Sequence, residues 1–295
     1  MLIKDIFAAK KPVISFEVFP PKKDSPVETI YDTLEGLRGM KPDFISVTYG
    51  AGGSTTNRTL EIARLLKGKY EIEPLAHLTC ITSDMQEIDN ILDELQAGGV
   101  KNILALRGDF PQDGDRRSNV SPGFSFAANL IEHIRQRGNF SIGGACYPEG
   151  HPECPSLEQD ILNLRAKIES GLDFLITQLF FDNEKFYRFM ELYEHYNLPK
   201  LPVSAGIMPV LNTKQIRHIT SLTRATMPKK FLRIMERYEH NSEALKEAGI
   251  AYATEQMIDL LAWGIDGIHI YTMNKPEATR SIVNNISEIR NCLFT

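Results

Sequence analysis

The sequence predicts an α/β protein, a (β/α)8 barrel of the TIM type with extra helices between strands seven and eight. Three observations predict it. Short β-rich runs alternate with longer amphipathic stretches from Val13 almost to the end, roughly eight such units occur, and the chain has 295 residues. Barrels of this kind commonly reach about 250 residues as one domain, so we interpret residues 1–295 as a single domain.

Composition and charge narrow the class of protein. Hydrophobic residues make up 42% of the chain and charged residues 24%, which is typical of a globular protein with a large core. Lys and Arg total 33 against 38 Asp and Glu, without a polybasic stripe for nucleic acid or an anionic membrane. No apolar run approaches the ~20 residues of a membrane span, and residues 1–11 are too short and too charged for a signal peptide. We therefore expect a cytoplasmic protein.

The strands are predicted from short runs rich in β-branched and aromatic residues. In a barrel of this kind the substrate binds where the strands end, so polar residues at those ends are the candidates for function. The predicted strands are Val13–Phe19, Asp43–Tyr49, Glu73–Cys80, Asn102–Arg107, Ser141–Cys146, Asp173–Phe180, Pro202–Ile207 and Gly267–Tyr271.

Apolar residues at three- and four-residue spacing predict the outer helices. Asp84 and Ser156 are predicted N-caps, and Gly98 and Gly171 lie just past predicted helix ends. The predicted helices are Thr56–Leu66, Met85–Gln96, Leu157–Ser170, Glu184–Tyr196 and Pro276–Cys292, with Thr213–Leu222, Lys229–Tyr238 and Ser242–Trp263 as the extra helices between strands seven and eight.

Glu17 is the first candidate for chemistry. Strand alternation places Ser15, Glu17 and Phe19 on one face, so Glu17 points into the barrel while the aliphatic face meets the helices. Desolvation in a partly closed barrel mouth raises the pKa of a carboxyl group, and such a group holds a proton for general-acid catalysis. A structural ion pair is the alternative, and strand position alone does not decide between the two.

Two further strand ends carry polar or glycine-rich turns. The second predicted strand runs into Gly50–Ser54, whose backbone N–H groups suit a phosphate or a ring edge, although tight turns use glycine without any ligand. This turn is neither GxGxxG nor a P-loop. After the fourth strand, Arg107 and Asp109 either pair with each other or reach a ligand, and a polar loop through Gly123 is long enough to form a lid.

The fifth strand leads into Tyr147 and His151, an aromatic ring and an imidazole that suit a planar ligand, and the sixth strand carries Gln178 near its end. Zinc is a competing interpretation, because the chain also has His77, Cys80, Cys146 and Cys154. On a strand, however, His77 and Cys80 point to opposite faces, and the four cysteines include no CxxC pair. We therefore predict no metal site.

Taken in order, several segments resemble the methylenetetrahydrofolate reductase family. The resemblance runs over nearly the whole chain and implies a flavin-bearing (β/α)8 barrel, in agreement with the strand count. The segments are Ile14–Lys22, Val47–Ser54, Leu106–Pro111, Tyr147–His151 with Pro152 and Glu153, Ile176–Asp182, Gly206 and Ile207 with Pro209, and Tyr271–Asn274.

The resemblance also implies roles for particular residues. Glu17 matches the general acid of the family, and Asp109 matches an aspartate beside the flavin; both are implied catalytic and substrate-binding residues. Gln178 and Gln215 match residues that contact the folate. The implied FAD-binding residues are Thr48, Tyr49, Ala51, His77, Arg107, Gly108, Asp109, Ala127, Tyr147, His151, Asp160 and Lys167.

The implied reaction is the ping-pong reduction of 5,10-methylenetetrahydrofolate to 5-methyltetrahydrofolate. NADH or NADPH supplies hydride through FAD, Glu17 protonates N10, and Asp109 favours the resulting cation. This reaction feeds one-carbon metabolism and methionine synthesis, and family members assemble, so we expect a homo-oligomer. The family often has arginine at the position of Lys275, which keeps the charge but loses the bidentate fork for a folate carboxylate.

Two other functions are compatible with parts of the pattern. One is a flavin-free barrel methyltransferase that uses His and Cys residues to hold zinc, which would make the purified protein colourless and zinc-bearing. The other is a ligand-binding barrel without turnover. The chain stops at the predicted barrel, so the regulatory C-terminal domain of the eukaryotic relatives is not expected.

Overall fold

Eight parallel strands close into a barrel in the computed structural model of the chain. The structure describes residues 1–21, 25–49, 56–81, 83–109, 124–223 and 225–292. Each strand pairs with the next along the chain, and the eighth pairs with the first, which confirms the predicted fold class. The strands are β1 (Val13–Val18), β2 (Phe44–Val47), β3 (Glu73–Thr79), β4 (Asn102–Leu106), β5 (Ser141–Cys146), β6 (Phe174–Thr177), β7 (Val203–Ile207) and β8 (Gly267–Tyr271).

Helices surround the barrel, and most of them bury an apolar face. The predicted caps are confirmed: Asp84 forms a capping box with Glu87, and the Ser156 hydroxyl accepts the N–H of Gln159. The described helices are α1 (Ile3–Ala9), α2 (Tyr31–Arg38) after a 3₁₀ turn (Val27–Ile30), α3 (Thr56–Gly68), α4 (Met85–Ala97), α5 (Ala127–Arg137), α6 (Leu157–Glu169), α7 (Asn183–His195), α8 (Thr213–Leu222), α9 (Lys229–Tyr238), α10 (Ser242–Trp263), α11 (Pro276–Asn285) and α12 (Ser287–Cys292).

Aspartates precede three of the strands and explain why β2, β6 and β8 begin where they do. Each carboxylate accepts the N–H of a residue on a neighbouring strand, so a side chain satisfies a donor at the beginning of the ladder. The predicted strands that began at Asp43 and Asp173 were one residue too long at that end. The pairs are Asp43 with Ile14 (2.8 Å), Asp173 with Ile142 (2.8 Å) and Asp266 with Val203 (3.0 Å).

The last predicted helix, Pro276–Cys292, is wrong as a single element. The backbone leaves the helical region at Ile286 (φ −109°, ψ 10°), so α11 and α12 are separate. Ile286 is fully buried in the core, and the Ser287 hydroxyl satisfies the carbonyl of Asn284 at 2.9 Å. The helix is thus interrupted at a buried residue, although its periodicity favours a single element.

The extra helices α8, α9 and α10 lie between β7 and β8, as predicted. They pack around a cluster of their own that includes Met208, Phe231 and Leu245. Gly249 makes the close approach of α10 possible, because a Cβ there would lie 1.8 Å from the carbonyl oxygen of Val210. In the described part of the chain, no helix combines the length and the apolar character that crossing a bilayer requires.

Candidate active site

Glu17 lies inside the barrel, in a group of polar side chains that we call the Glu17 cluster: Ser15, Glu17, Ser46, His77 and His269. All five are less than 9% exposed. Strand register brings them together, since Ser15 is paired with His269 across β1 and β8, and Glu17 with Ser46 across β1 and β2. The apolar neighbours of Glu17 on β1 pack outward against the helices, which confirms the predicted orientation.

The Glu17 carboxylate is the centre of this cluster. Its Oε2 atom lies 3.3 Å from the Ser46 hydroxyl and 3.4 Å from Nε2 of His269. The other ring nitrogen of His269 lies 2.7 Å from the Ser15 hydroxyl, which fixes the orientation of the imidazole. A proton on Glu17 or on His269 is therefore one transfer away from the other group.

The pKa of Glu17 lies below its ordinary value in this arrangement. Burial raises it, but the hydrogen bond with His269, the charges of His77 and His269, and the Ser46 hydroxyl together lower it further than burial raises it. The expectation of a raised pKa was wrong, because it considered the desolvation of the carboxyl group without the histidines beside it.

His77 faces the same carboxylate from β3. Burial lowers the pKa of His77 to about 4, against the charge of Glu17, which raises it, so the imidazole is neutral at neutral pH. Its Nε2 atom lies 3.4 Å from Oε2 of Glu17, yet the angles do not make a hydrogen bond, and Nε2 has no hydrogen-bond partner among the described residues. A buried polar atom of this kind indicates a place for a ligand group or a water.

A second group of predicted residues lines a cavity of about 530 Å³ beside the barrel, at the C-terminal ends of β4 and β5 and against α5 and α6. The structure thus brings together residues that are up to 60 positions apart in the chain, from Arg107 to Lys167. Predicted FAD-site residues in its lining are Arg107, Ala127, Tyr147, His151, Asp160 and Lys167.

The cavity combines cations with aromatic rings. The Arg107 guanidinium donates to Glu153 at 2.6 Å, and the Lys167 ammonium donates to the carbonyl of Ala145, with a pKa lowered by burial. Burial and nearby carboxylates raise the pKa of Tyr147 to about 12, so its hydroxyl stays protonated. This tyrosine ring meets the His151 ring edge-on, with centroids 4.8 Å apart.

His151 is held in one tautomer. Its Nδ1 atom accepts the N–H of Glu153 at 3.1 Å, which leaves the ring proton on Nε2, and its own backbone N–H donates to Asp160 at 3.0 Å. Gly108, at the start of this wall, has φ of +89°, and a Cβ there would lie 3.0 Å from Thr79. Glycine is therefore required at that turn.

The remaining predicted residues lie around the same end of the barrel. Thr48 and Tyr49 follow β2, and Asp109 is exposed after β4. The side-chain oxygen of Gln178 accepts the N–H of Leu179 at 2.9 Å. Ala51, the turn Gly50–Ser54 and the loop through Gly123 that was predicted as a lid lie outside the described residues.

Two predicted folate residues are placed less directly. The amide of Gln215 is used locally at the start of α8: its oxygen accepts the N–H of Leu211 at 2.9 Å, and its nitrogen donates to the carbonyl of Pro209 at 3.2 Å. Lys275 is exposed at the start of α11. The structure shows neither side chain in contact with the Glu17 cluster.

Comparison with known proteins places the chain among its relatives. The family model for methylenetetrahydrofolate reductase matches residues 2–287. The chain belongs to the methylenetetrahydrofolate reductase family. The 5,10-methylenetetrahydrofolate reductase of Pectobacterium carotovorum is 33% identical over 273 residues, which cover 92% of this chain and 89% of the relative.

Relatives in plants are longer. The methylenetetrahydrofolate reductase (NADH) 1 of Arabidopsis thaliana is 34% identical over 298 residues, which cover 97% of this chain and 50% of the plant protein. The chain therefore spans about half the length of such relatives. Among solved structures, an uncharacterized Clostridium thermocellum protein that binds two copies of 5-methyl-5,6,7,8-tetrahydrofolic acid has a TM-score of 0.67 at 16% identity, covering 99% of this chain and 100% of that one; the likeness shows a shared fold.

Two residues of the Glu17 cluster, Ser46 and His269, were not predicted from the sequence. Alternation along Gly267–Tyr271 places His269 on the inward face, and closure of the barrel pairs β8 with β1, so the signal was available. Of the residues considered for zinc, Cys146, His151 and Cys154 line the same cavity, whereas His77 lies apart from them inside the barrel. In the described ranges no three His, Cys, Asp or Glu side chains are grouped as metal ligands, and Cys80 packs in the outer core while His77 faces Glu17.

Proposed function

We propose that the chain is a reductase that converts 5,10-methylenetetrahydrofolate to 5-methyltetrahydrofolate with a nicotinamide cofactor and bound FAD, and so supplies methyl groups for one-carbon metabolism and methionine synthesis. The observation that carries the proposal is the buried Glu17 carboxylate, which lies at the C-terminal end of β1 against two histidines. An acid in this position suits a substrate that must be protonated before it accepts hydride.

The residues that line the cavity fit FAD. Arg107 and Lys167 supply cations for a diphosphate, and the rings of Tyr147 and His151 supply surfaces for planar groups, all at the ends of strands where barrels bind cofactors. FAD, when bound, supplies the relay of hydride from the nicotinamide to the folate. His77 lies outside this lining, inside the barrel, where its unpartnered Nε2 is available to a group of the cofactor that reaches the Glu17 cluster.

The pair formed by Glu17 and His269 is the proposed source of the proton. A folate that covers the barrel mouth excludes water, and the loss of water disfavours the charged form of the Glu17 carboxyl group. Glu17 then holds the proton as a neutral carboxylic acid, with Nε2 of His269 3.4 Å from its Oε2 atom. From there it passes to N10 of the folate, and the five-membered ring opens.

Asp109 is the second proposed catalytic residue. Its carboxylate is exposed just past β4, close enough to Tyr147 to raise the pKa of that hydroxyl. An anion at this edge of the mouth stabilises the cation that forms on the folate after ring opening. Gln178, Gln215 and Lys275 are proposed to orient the folate, and Thr48, Tyr49, Ala51 and Gly108 to support the cofactor.

The substitution Glu17→Gln tests the assignment of the acid. The variant keeps the size of the side chain but has no acidic proton, so folate reduction should fall by about 10²–10⁴-fold. The rate at which an artificial quinone oxidises the nicotinamide should stay within about twofold of the wild-type rate, because that reaction does not use the acid. Stopped-flow and steady-state absorbance measure both rates.

The exposed Glu61 on α3 provides the matched control, since Glu61→Gln removes the same charge away from the site. If Glu17→Gln reduced folate at the wild-type rate, the assignment would be wrong.

Flavin absorbance of the purified protein separates the proposal from the zinc-dependent methyltransferase, which predicts a colourless protein with stoichiometric zinc. Rates with NADH and with NADPH identify the nicotinamide, and light scattering tests the proposed homo-oligomer.

A further inference from the structure

The segment that follows β8, Tyr271–Asn274, is a family-like motif without a role in the mechanism above. Thr272 in this segment is fully buried. Its hydroxyl donates to the backbone carbonyl oxygen of Glu17 at 2.6 Å, and its N–H donates to the same oxygen at 3.3 Å. The residue beyond the last rung of the β1–β8 ladder is therefore bound directly to the backbone of the proposed acid.

Asn274 holds the next part of β1 in the same way. Its Oδ1 atom accepts the N–H of Phe19 at 3.0 Å, and its Nδ2 atom donates to the carbonyl of Phe19 at 2.8 Å. One side-chain amide thus takes the place that a neighbouring strand would occupy. Because Pro20 and Pro21 follow and have no N–H, Phe19 is the last residue of this run that can donate through its backbone.

The backbone of the segment turns through an unfavourable conformation next to this amide. Met273 and Asn274 both have positive φ, 51° and 54°, which residues other than glycine rarely adopt. The turn is held by the N–H of Asn274, which donates to the Thr272 hydroxyl at 3.2 Å, and by the N–H of Lys275, which donates to the Thr272 carbonyl at 2.9 Å. The hydroxyl of Thr272 thus links Asn274 to Glu17.

The opposite edge of β1 is held by β2. The N–H of Thr48 donates to the carbonyl of Val18 at 3.1 Å, so the backbone from Glu17 to Phe19 is bonded alternately to both neighbours. Among the described residues, the β8 side adds side-chain hydrogen bonds to this backbone, through Thr272 and Asn274. Loss of either side chain would weaken the restraint on the end of β1 from that side.

We propose that Asn274 and Thr272 are positioning residues for proton transfer, which fix the end of β1 so that the Glu17 carboxyl meets N10 of the folate. The inference rests on the proposed function. A displacement of the acid by about 1 Å costs about 10²-fold in rate, whereas transfer of hydride from the nicotinamide does not depend on Glu17. Loss of either side chain should therefore separate the two reactions.

The substitution Asn274→Gly tests the amide. Glycine adopts positive φ freely, so the turn is kept while both hydrogen bonds to Phe19 are lost. The kcat of folate reduction should fall about 10–100-fold, and its KM should stay within about threefold of the wild-type value. The rate of nicotinamide oxidation by an artificial quinone should stay within about twofold of the wild-type rate. The matched control is Asn197→Gly, because Asn197 also has positive φ (52°) and is exposed near the start of β7.

A pair of substitutions tests the hydroxyl. Thr272→Val has nearly the same shape but no hydroxyl, whereas Thr272→Ser keeps it. We expect Thr272→Val to slow folate reduction about tenfold or more and Thr272→Ser to keep it within about threefold. Thermal unfolding of each variant confirms that the assays are made on folded protein.

Three results would overturn the inference while leaving the proposed function in place. The first is folate reduction at the wild-type rate by Asn274→Gly. The second is an equal loss of both reactions in Asn274→Gly, and the third is an equal loss of folate reduction in Thr272→Ser and Thr272→Val. The second and third would show a role in folding alone. Wild-type protein that fails to reduce the folate would overturn the proposed function itself, and this inference with it.

Discussion

At the scale of single residues, the behaviour of Glu17 is decided by groups far from it in the chain. His269 is 252 positions away and Ser46 is 29 positions away, and both reach the same carboxylate oxygen. These contacts exist only when β8 closes against β1. The protonation of the proposed acid is therefore a property of the closed barrel.

His77 gives a prediction about pH. Burial lowers its pKa to about 4 in the folded protein, while the unfolded chain binds the proton near its ordinary pKa of about 6.5. Between these two values the unfolded state holds more protons, so stability falls as the pH drops through this window, by up to about 3 kcal/mol. Urea unfolding between these pH values measures the free energy of unfolding of the wild type and of His77→Gln. This free energy should change less with pH in the variant than in the wild type.

The exposed His195 supplies the control for that experiment, as His195→Gln also removes one histidine. The free energy of unfolding should change less with pH in His77→Gln than in the wild type or in this control. Equal slopes for His77→Gln and the wild type would mean that the imidazole is not held neutral by burial.

The orientation of these side chains was predictable, but their electrostatics were not. Alternation alone placed Glu17 inward, and the structure agrees. The pKa of Glu17 was predicted in the wrong direction, since the sign depends on His77 and His269 within 3.4 Å. Distances between side chains on different strands follow from register and shear, which no local pattern in the sequence contains.

At the scale of elements, helix α1 closes the end of the barrel opposite Glu17. The N–H of Ile3 donates to the Asn102 side chain at 2.8 Å, and the N–H of Lys4 donates to the Ser141 hydroxyl at 3.1 Å, both at strand starts. Ile3 and Ile6 pack in an apolar cluster with Phe44 and other side chains from inside this end of the barrel. The helix fills the barrel floor without contributing to the candidate site.

The substitution Ile3→Ala tests the role of α1. Ile3 is fully buried, so the change should lower the free energy of unfolding by about 2–5 kcal/mol. Ile258→Ala is the matched control, because that side chain is 39% exposed and its loss should cost about 1 kcal/mol or less. Urea unfolding measures both, and equal losses in the two variants would show that α1 does not secure the floor.

Elements with strong periodicity were predicted well, and short or interrupted ones were not. The positions of the strands and the helix Met85–Ala97 follow from their patterns. The seven residues of α1 are too few for a clear period, and their helix depends on packing against the barrel floor. The break at Ile286 is likewise not marked by glycine or proline in the sequence.

At the scale of the whole molecule, the barrel carries two candidate functional regions. The Glu17 cluster lies inside the ring of strands, while the proposed FAD cavity lies between the ends of β4 and β5 and the helices α5 and α6. The family resemblance pointed to Glu17 and His77 in the first region and to six residues of the cavity lining, but not to Ser46 or His269. The sequence also contained no sign that the side-chain amide of Gln215 forms its hydrogen bonds at the start of its own helix.

Binding of FAD should stabilise the whole barrel, since a ligand that binds only the folded state adds RT ln(1 + [L]/Kd) to the free energy of unfolding. At 100 times Kd this is about 2.7 kcal/mol, or a rise of roughly 5–10 °C in Tm for a chain of this size. Lys167→Met removes a buried cation from the cavity and should reduce the rise, whereas Lys200→Met at an exposed lysine should keep it. Differential scanning calorimetry at increasing FAD measures the effect, and a Lys167→Met shift equal to that of the wild type would remove this lysine from the proposed site.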